Sequence, residues 1–255
     1  MTVSLRFLIL VVAALSTACA SAQAPSRTDA PYLLVLGTAQ DGGLPQIGCA
    51  QECCLRARRD PDARRLVTSL LLVDPRDGRR WLFDATPDLP KQVERARGHG
   101  GPAEDAPGRP PLFDGIFLTH AHLGHYAGLL HLGREAYGSQ PTNLFGTSHM
   151  LNYLKSNGPW SLLFEGEHLS GRQLDPGGSV KLADDITVTA WQVPHRDEFT
   201  DTVAFVIRGP NKTALYLPDI DKWEQWDRDL EDALREVDLA FLDGSFFGPG
   251  ELPGR

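Results

Sequence analysis

The chain has 255 residues, of which 42% are hydrophobic, and its formal net charge is −8 at pH 7. This composition is typical of a folded globular protein and not of a disordered one. The net negative charge argues against non-specific binding of nucleic acid, which depends on a basic surface that neutralises phosphates. We therefore expect no nucleic-acid partner, and we predict a small-molecule substrate.

The first 22 residues differ from the rest of the chain. One arginine precedes an apolar run over 7–15, and small residues follow up to Ala22. This pattern is typical of a cleaved secretory signal, and the run is short for a membrane span. An uncleaved anchor and lipidation at Cys19 are the alternatives. We predict a signal peptide at 1–22, a flexible leader at 23–31, no stable membrane span and a periplasmic or secreted protein.

Hydrophobic periodicity and turn residues divide the remaining chain into strands and helices. Strands are predicted at 32–36, 68–74, 80–84, 113–119, 143–146, 168–170, 173–174, 180–182, 186–193, 202–208, 214–217 and 238–243. Helices are predicted after the cysteine cluster and at 89–97, 126–137, 149–157 and 223–237. Two β-rich halves, each followed by helices, predict two sheets packed face to face with helices outside. Because the chain stops just after a strand and a turn, we expect the C-terminal part of this fold to be missing.

Three cysteines follow the first predicted strand: Cys49, Cys53 and Cys54. A disulfide between the two adjacent cysteines is strained, and an odd number of thiols leaves one unpaired. Three thiolates this close together are also able to hold a structural zinc with a fourth ligand, for which His99 and His168 are candidates. One disulfide with one buried thiol is the equal alternative on spacing alone.

Three histidines lie within six residues where a predicted strand runs into a helix: His120, His122 and His125. Two imidazoles at positions i and i+2 on an extended loop can face one ion, and a third at i+5 can reach a neighbouring ion. Neutral imidazole is the commonest protein ligand for zinc and similar metals. The spacing therefore predicts a metal-binding loop.

The stretch Thr119–His125 resembles the T-H-x-H-x-D-H signature of the metallo-β-lactamase superfamily. Asp84 matches the structural acidic residue of that family, His195 matches its third motif and Asp219 matches its metal-bridging aspartate. The resemblance implies an α+β fold, a four-layer αββα sandwich, over residues 32–255.

Within the superfamily the chain is most similar to the pyrroloquinoline quinone biosynthesis protein B family. The resemblance rests on 36–46, the clustered cysteines, 194–196, 218–221 and 243–247. A cysteine cluster of this kind binds structural zinc in related phosphodiesterases. The likeness therefore favours zinc over a disulfide at Cys49, Cys53 and Cys54, although the spacing C-x3-C-C departs from the usual C-x-C-x2-C.

The predicted first metal site consists of His120, His122, His195 and Asp219. Three neutral nitrogens and one carboxylate suit a zinc ion that keeps room for water. Such an ion lowers the pKa of its water and polarises a substrate oxygen. Asp219 is also the predicted catalytic residue, because its carboxylate can orient that water.

The predicted second metal site lacks a ligand. Gly124 stands where the family signature has an aspartate, and the last histidine of the family is expected beyond Arg255. Only His125 and Asp219 remain, which is too few for tight binding. The sequence therefore predicts a single active-site ion.

These features support three functional hypotheses. The first is an exported metal-dependent hydrolase that uses a metal-activated water. The second is an enzyme like pyrroloquinoline quinone biosynthesis protein B, which acts in cofactor biosynthesis and uses iron if its chemistry is oxidative. The third is a metal-binding protein without catalysis.

Overall fold

A computed structural model describes residues 29–246. The predicted signal peptide, Cys19 and most of the predicted leader lie outside the described residues, as do residues 247–255. Within 29–246 no helix combines the length and the apolarity that crossing a membrane requires.

Two β-sheets form the centre of the fold. The first has six strands that neighbour one another in chain order: β1 (Tyr32–Gly37), β2 (Ser69–Val73), β3 (Arg80–Phe83), β4 (Gly115–Phe117), β5 (Thr142–Gly146) and β6 (Leu169–Gln173). The second has five strands: β7 (Ser179–Ala183), β8 (Ile186–Gln192), β9 (Val203–Arg208), β10 (Thr213–Leu217) and β11 (Leu239–Leu242). Its spatial order is β11-β10-β9-β8-β7.

Both sheets are mixed. In the first, β1, β2 and β3 are antiparallel neighbours, whereas β3 to β6 run parallel. In the second, all neighbours are antiparallel except β10 and β11. Parallel neighbours need crossover connections, which the helices provide. The helices are α1 (Glu52–Arg59), α2 (Leu89–Arg95), α3 (Leu123–Tyr126), α4 (Ser148–Ser156), α5 (Ser161–Glu165) and α6 (Leu230–Arg235).

Apolar side chains fill three layers, as expected when strand residues alternate between the two faces of a sheet. On β2, Leu70 belongs to the core between the sheets, whereas Leu71 belongs to the core beneath α2, α4 and α5. Phe117 stacks on Phe83 and Phe145 at centroid distances of 4.9 and 4.4 Å in the middle layer. A third core packs Trp226 and α6 against the outer face of the second sheet. The predicted αββα sandwich is confirmed.

The helix predicted at 126–137 is wrong in its extent. The structure has the short helix α3 followed by a 3-10 segment over Ala127–Leu132. The backbone N–H of Gly128 donates to the carbonyl of Ala85, and the carbonyl of His125 accepts from the N–H of Ala85, each at 2.8 Å. Because these groups bond to the segment after β3, they are not available for a regular α-helix.

The helix predicted at 223–237 is also interrupted. A 3-10 turn covers Trp223–Gln225, and α6 begins later, where Asp229 accepts a hydrogen bond from the N–H of Asp232 at 3.0 Å. Between them the indole of Trp226 donates to the carbonyl of Gln192 at 2.8 Å. A side-chain cap and a tryptophan anchored on the sheet therefore divide the predicted helix in two.

Candidate metal centre

Asp84 organises the metal-binding loop from the end of β3. Its carboxylate is fully buried and accepts hydrogen bonds from the Thr119 N–H at 2.9 Å, the Thr119 hydroxyl at 3.0 Å, His125 Nδ1 at 2.8 Å and the Tyr216 hydroxyl at 3.0 Å. Its backbone has φ of 63°. Aspartate tolerates this left-handed conformation better than most residues. The structural role predicted for Asp84 thus has a physical basis, since it joins both sheets to the histidine loop.

The structure brings together the four residues of the predicted first site. His122 Nδ1 lies 2.9 Å from His120 Nε2 and 3.1 Å from His195 Nε2. Oδ2 of Asp219 lies 3.6 Å from His120 Nε2 and 3.5 Å from His195 Nε2. These four ligand atoms lie within 4.8 Å of one another. Such crowding of nitrogens around one point is the arrangement that a shared ion requires.

The remaining ring nitrogens face outer partners. Nε2 of His122 lies 2.8 Å from Glu198 Oε2, and Nδ1 of His195 lies 2.9 Å from Asp221 Oδ1. His120 Nδ1 lies 3.0 Å from the hydroxyl of Thr119, which itself donates to Asp84. Hydrogen-bond partners of this kind fix the tautomers of His122 and His120 that leave the inner nitrogen free for a metal. The buried Nδ1 of His195 faces Asp221 without a hydrogen bond of acceptable geometry.

Electrostatics favour the neutral imidazole, which is the form that binds a metal, in His120 and His195. Burial, reinforced by His125 and His122, holds the pKa of His120 well below its ordinary value. Burial also lowers the pKa of His195, against the opposing effect of Asp219. Both imidazoles are therefore neutral at pH 7, as metal coordination requires. The donor set fits zinc.

A second group of ligand atoms adjoins the first. His125 Nε2 lies 3.2 Å from Asp41 Oδ1 and 3.3 Å from Asp219 Oδ1. These three residues form a group whose ligand atoms lie within 4.8 Å of one another. Burial lowers the pKa of His125, but the carboxylates of Asp84, Asp219 and Asp41 together raise it well above its ordinary value. A metal must therefore displace a proton from this imidazole.

Asp41 is the site residue that the sequence interpretation missed. It lies 84 positions before His125 in the chain, in the turn after β1, and only the three-dimensional fold brings it to the histidine loop. The signal available in the sequence was an aspartate followed by two glycines at the end of a buried strand, a position where irregular backbone can present a ligand.

The cysteines do not complete a metal site among residues 29–246. All three are free: Cys53 is exposed, Cys49 is partly buried, and Cys54 is buried with its sulfur accepting from the Gln46 N–H at 3.4 Å. No cysteine belongs to a described group of three converging ligand atoms. The two candidate fourth ligands have other partners, Tyr32 for His99 and the Ser139 carbonyl for His168. The structural zinc stays a prediction.

A cleft of about 700 Å³ borders the second ligand group. Asp41 and Asp219 form part of its wall, together with Arg196 and Asp243. Clefts of this volume are typical of small-molecule sites. Asp219, which belongs to both ligand groups, therefore faces this cleft.

Comparison with known families agrees with this geometry. The family model for the beta-lactamase superfamily domain matches residues 79–254, which include His120, His122, His125, His195 and Asp219. The chain belongs to this superfamily and has the metallo-β-lactamase fold. The fold and the resemblance predicted from the sequence are confirmed.

Curated relatives show that, within the superfamily, the chain is similar to coenzyme PQQ synthesis protein B. Coenzyme PQQ synthesis protein B of Rhizobium meliloti is 25% identical over 241 residues, which cover 89% of this chain and 76% of the relative. The protein of the same name from Methylobacterium radiotolerans is 35% identical over 136 residues, which are 52% of this chain and only 43% of that relative.

Two solved structures share the fold. Zn²⁺-bound PqqB from Methylobacterium extorquens superposes with a TM-score of 0.68 at 24% identity and covers 83% of this chain and 72% of that chain. A diphosphatase from the PhnP family superposes with a TM-score of 0.57 at 22% identity and covers 84% of this chain and 72% of that chain. At these identities the likeness establishes the architecture.

Proposed function

We propose that the chain is a metalloenzyme of the same kind as coenzyme PQQ synthesis protein B, acting on a small molecule in the cleft beside the metal centre. The observation that carries this proposal is the convergence of His120, His122 and His195 on one point, where the Asp219 carboxylate supplies the fourth ligand atom. Likeness to curated relatives over 84% to 89% of the chain supports this branch of the superfamily.

An ion held at this centre supplies Lewis-acid activation of a water molecule or a substrate oxygen. The protein contributes the geometry and the charge. Burial raises the pKa of Asp219, but the close contact with His125 Nε2 and the charge of that imidazole outweigh burial and lower the pKa below the ordinary value. Asp219 is therefore ionised throughout the neutral range and is able to accept a hydrogen bond from a reacting water.

A metal-dependent hydrolase is the second candidate. The donor set favours it, because three imidazoles and one carboxylate with access to a cleft are typical of zinc sites that activate water. Esters, lactones, phosphodiesters and amides are the substrate classes for such a reaction. The identity of the bound metal separates the two candidates: zinc favours hydrolysis, whereas iron favours an oxidative step in cofactor biosynthesis.

Complementation tests the first candidate. A bacterium that lacks its own PqqB is given the wild-type chain or the His120→Ala variant, each with and without residues 1–22. We expect wild type to restore PQQ formation and the variant to fail. Absence of restoration, combined with hydrolysis of a broad substrate panel by the zinc-loaded protein, would replace the first candidate by the second. Tightly held metal with neither activity would favour a non-catalytic metal-binding protein.

We also propose that the chain is exported, with cleavage after Ala22. The basis is the apolar run over 7–15 followed by small residues. Intact-mass measurement of protein expressed from the complete sequence tests it. A chain beginning at Gln23 in the periplasm or the medium is expected, whereas a full-length chain in the cytoplasm contradicts export.

A further inference from the structure

Gly124 and Asp41 compete for the same space. A Cβ atom built on Gly124 would lie 2.3 Å from Oδ1, 2.5 Å from Cγ and 2.8 Å from Cα of Asp41. The last of these is a backbone atom, so rotation of the side chain does not relieve the contact. A residue with a side chain at position 124 therefore excludes Asp41 from its present position.

Asp41 directs its carboxylate at the imidazole of His125, the residue that follows Gly124 in the chain. Its Oδ1 lies 3.2 Å from His125 Nε2, and Oδ1 of Asp219 lies 3.3 Å from the same nitrogen. His125 is fully buried, and Nε2 makes no hydrogen bond of acceptable geometry. A buried nitrogen without a hydrogen bond, facing two carboxylate oxygens, is what a metal site presents before the ion binds.

The position of Asp41 is fixed by the backbone around it. The Gly43 N–H donates to the Gln40 carbonyl at 2.7 Å and closes a turn with Asp41 at its second position. On either side, Ala39 pairs with Val67 and Leu44 with Arg65 in isolated β-bridges. Because both ends of the turn are tied to one neighbouring segment, the carboxylate needs little reorganisation to bind an ion.

We propose that Asp41 replaces the ligand lost at Gly124, so that Asp41, His125 and Asp219 form a second site for a divalent cation. Asp219 bridges the two sites, with Oδ2 near the three histidines and Oδ1 near His125. This inference deepens the proposed function and rests on it for the first ion. It replaces the single ion predicted from the sequence, which counted only two ligands here.

The second ion has a specific place relative to the substrate. Asp41 is about half exposed, with 47% of its side-chain surface accessible, and it lines the cleft. An ion with three protein ligands would keep coordination positions for water or substrate. Because Asp41 and Asp219 both line the cleft, a substrate oxygen that enters it would lie beside this site.

Metal counting on the full chain tests the proposal. Metal-free wild type, Asp41→Asn and a charge-matched control, Asp62→Asn at an exposed position, are titrated with Zn²⁺, and the ions retained per chain are measured. We expect Asp41→Asn to retain one ion fewer than wild type and to raise the Kd of that ion at least about 100-fold, since loss of outer-shell partners alone costs 10- to 100-fold. The control should match wild type.

A double variant tests the exchange directly. Asp41→Gly removes the carboxylate, and Gly124→Asp supplies one from the loop. Because Cα of residue 41 stays 2.8 Å from the new Cβ, the turn after β1 must shift by a few tenths of an ångström for the pair to regain the ion that Asp41→Gly alone loses. In Co²⁺-loaded wild type, magnetic coupling between two bridged ions is expected, and Asp41→Asn should abolish it. Circular dichroism confirms that each variant is folded.

The outcomes separate this inference from the function on which it rests. Equal metal content and equal Kd values in wild type and Asp41→Asn overturn the second site but leave the first site intact. Absence of coupling in fully loaded wild type also overturns it. Unchanged metal content in His120→Ala, by contrast, overturns the proposed first site.

Discussion

His125 Nδ1 donates a hydrogen bond of 2.8 Å to Asp84 Oδ2, and both side chains are fully buried. The same carboxylate also accepts from Thr119 and Tyr216, so it links the histidine loop after β4 to β10 of the opposite sheet. This arrangement makes one residue responsible for both the packing of the two sheets and the orientation of a metal ligand.

Asp84→Asn should therefore weaken both folding and metal binding. Asparagine keeps the shape and tolerates the positive φ, but its amide nitrogen faces donors and leaves at least one of them unsatisfied. We expect the free energy of unfolding of the metal-free protein to fall by about 2–4 kcal/mol. Urea denaturation measures it, with Tyr216→Phe, which removes one hydrogen bond, expected to cost about 1 kcal/mol. Equal stability of Asp84→Asn and wild type would contradict this role.

Glu198 positions His122 from outside the metal centre. Its Oε2 lies 2.8 Å from His122 Nε2, and this contact lowers the pKa of the Glu198 carboxyl. Glu198→Gln should reduce zinc affinity at the first site by about 10- to 100-fold, because outer partners orient the ligand ring and increase its basicity. Competition with a chelating dye measures the affinity. Glu165→Gln, at an exposed helical position, is the control, and an identical loss in both variants would refute the effect.

A pH-dependent contribution to stability is expected from Asp74. Two hydrogen bonds of 2.7 Å from Arg76 lower the pKa of Asp74 below its ordinary value of 3.8, and Arg76 also pairs with Asp185 on the β7–β8 hairpin. A lowered folded-state pKa gives stability that is present above pH 3.8 and is lost as the pH falls through the folded value.

Asp74→Asn should thus cost about 1–2 kcal/mol at pH 7 and progressively less as the pH falls below 3.8. Urea unfolding at pH 7 and pH 3 measures the difference. The exposed Asp77→Asn variant should stay within about 0.5 kcal/mol of wild type. A destabilisation by Asp74→Asn that is equally large at both pH values would show that the charge pair is not its cause.

The cysteine cluster provides a separate test of the predicted structural zinc. If the thiolates hold zinc, Cys53 should react slowly with a thiol reagent despite its exposure, and a chelator should accelerate the reaction. The buried Cys54 should react only on unfolding once zinc is removed. Rapid labelling of Cys53 that is the same with and without chelator would contradict the zinc prediction.

The residues of the predicted first metal site could be located from the sequence because they lie in short motifs at strand ends. His120 and His122 are two residues apart, and His195 and Asp219 each follow a strand of the second sheet, so periodicity and the superfamily resemblance locate them all. The αββα layers follow from the same alternation of apolar residues.

The second site could not be read from the sequence because its third ligand is not local. Asp41 reaches His125 only through the packing of the turn after β1 against the histidine loop. In the sequence, Gly124 indicates that a ligand is lost but does not indicate which residue replaces it. The predicted boundaries of two helices were wrong for a similar reason. Gly128 and Trp226 donate hydrogen bonds to distant backbone carbonyls, which local propensity does not reveal.

The most direct test of the central claim is the metal content of the full-length protein beside the His120→Ala variant. His131→Ala, at an exposed position just after the loop, is the matched control. Elemental analysis should show less bound metal in His120→Ala than in wild type, and unchanged metal in the control. Equal metal content in wild type and His120→Ala would contradict the assignment of this loop as the metal centre.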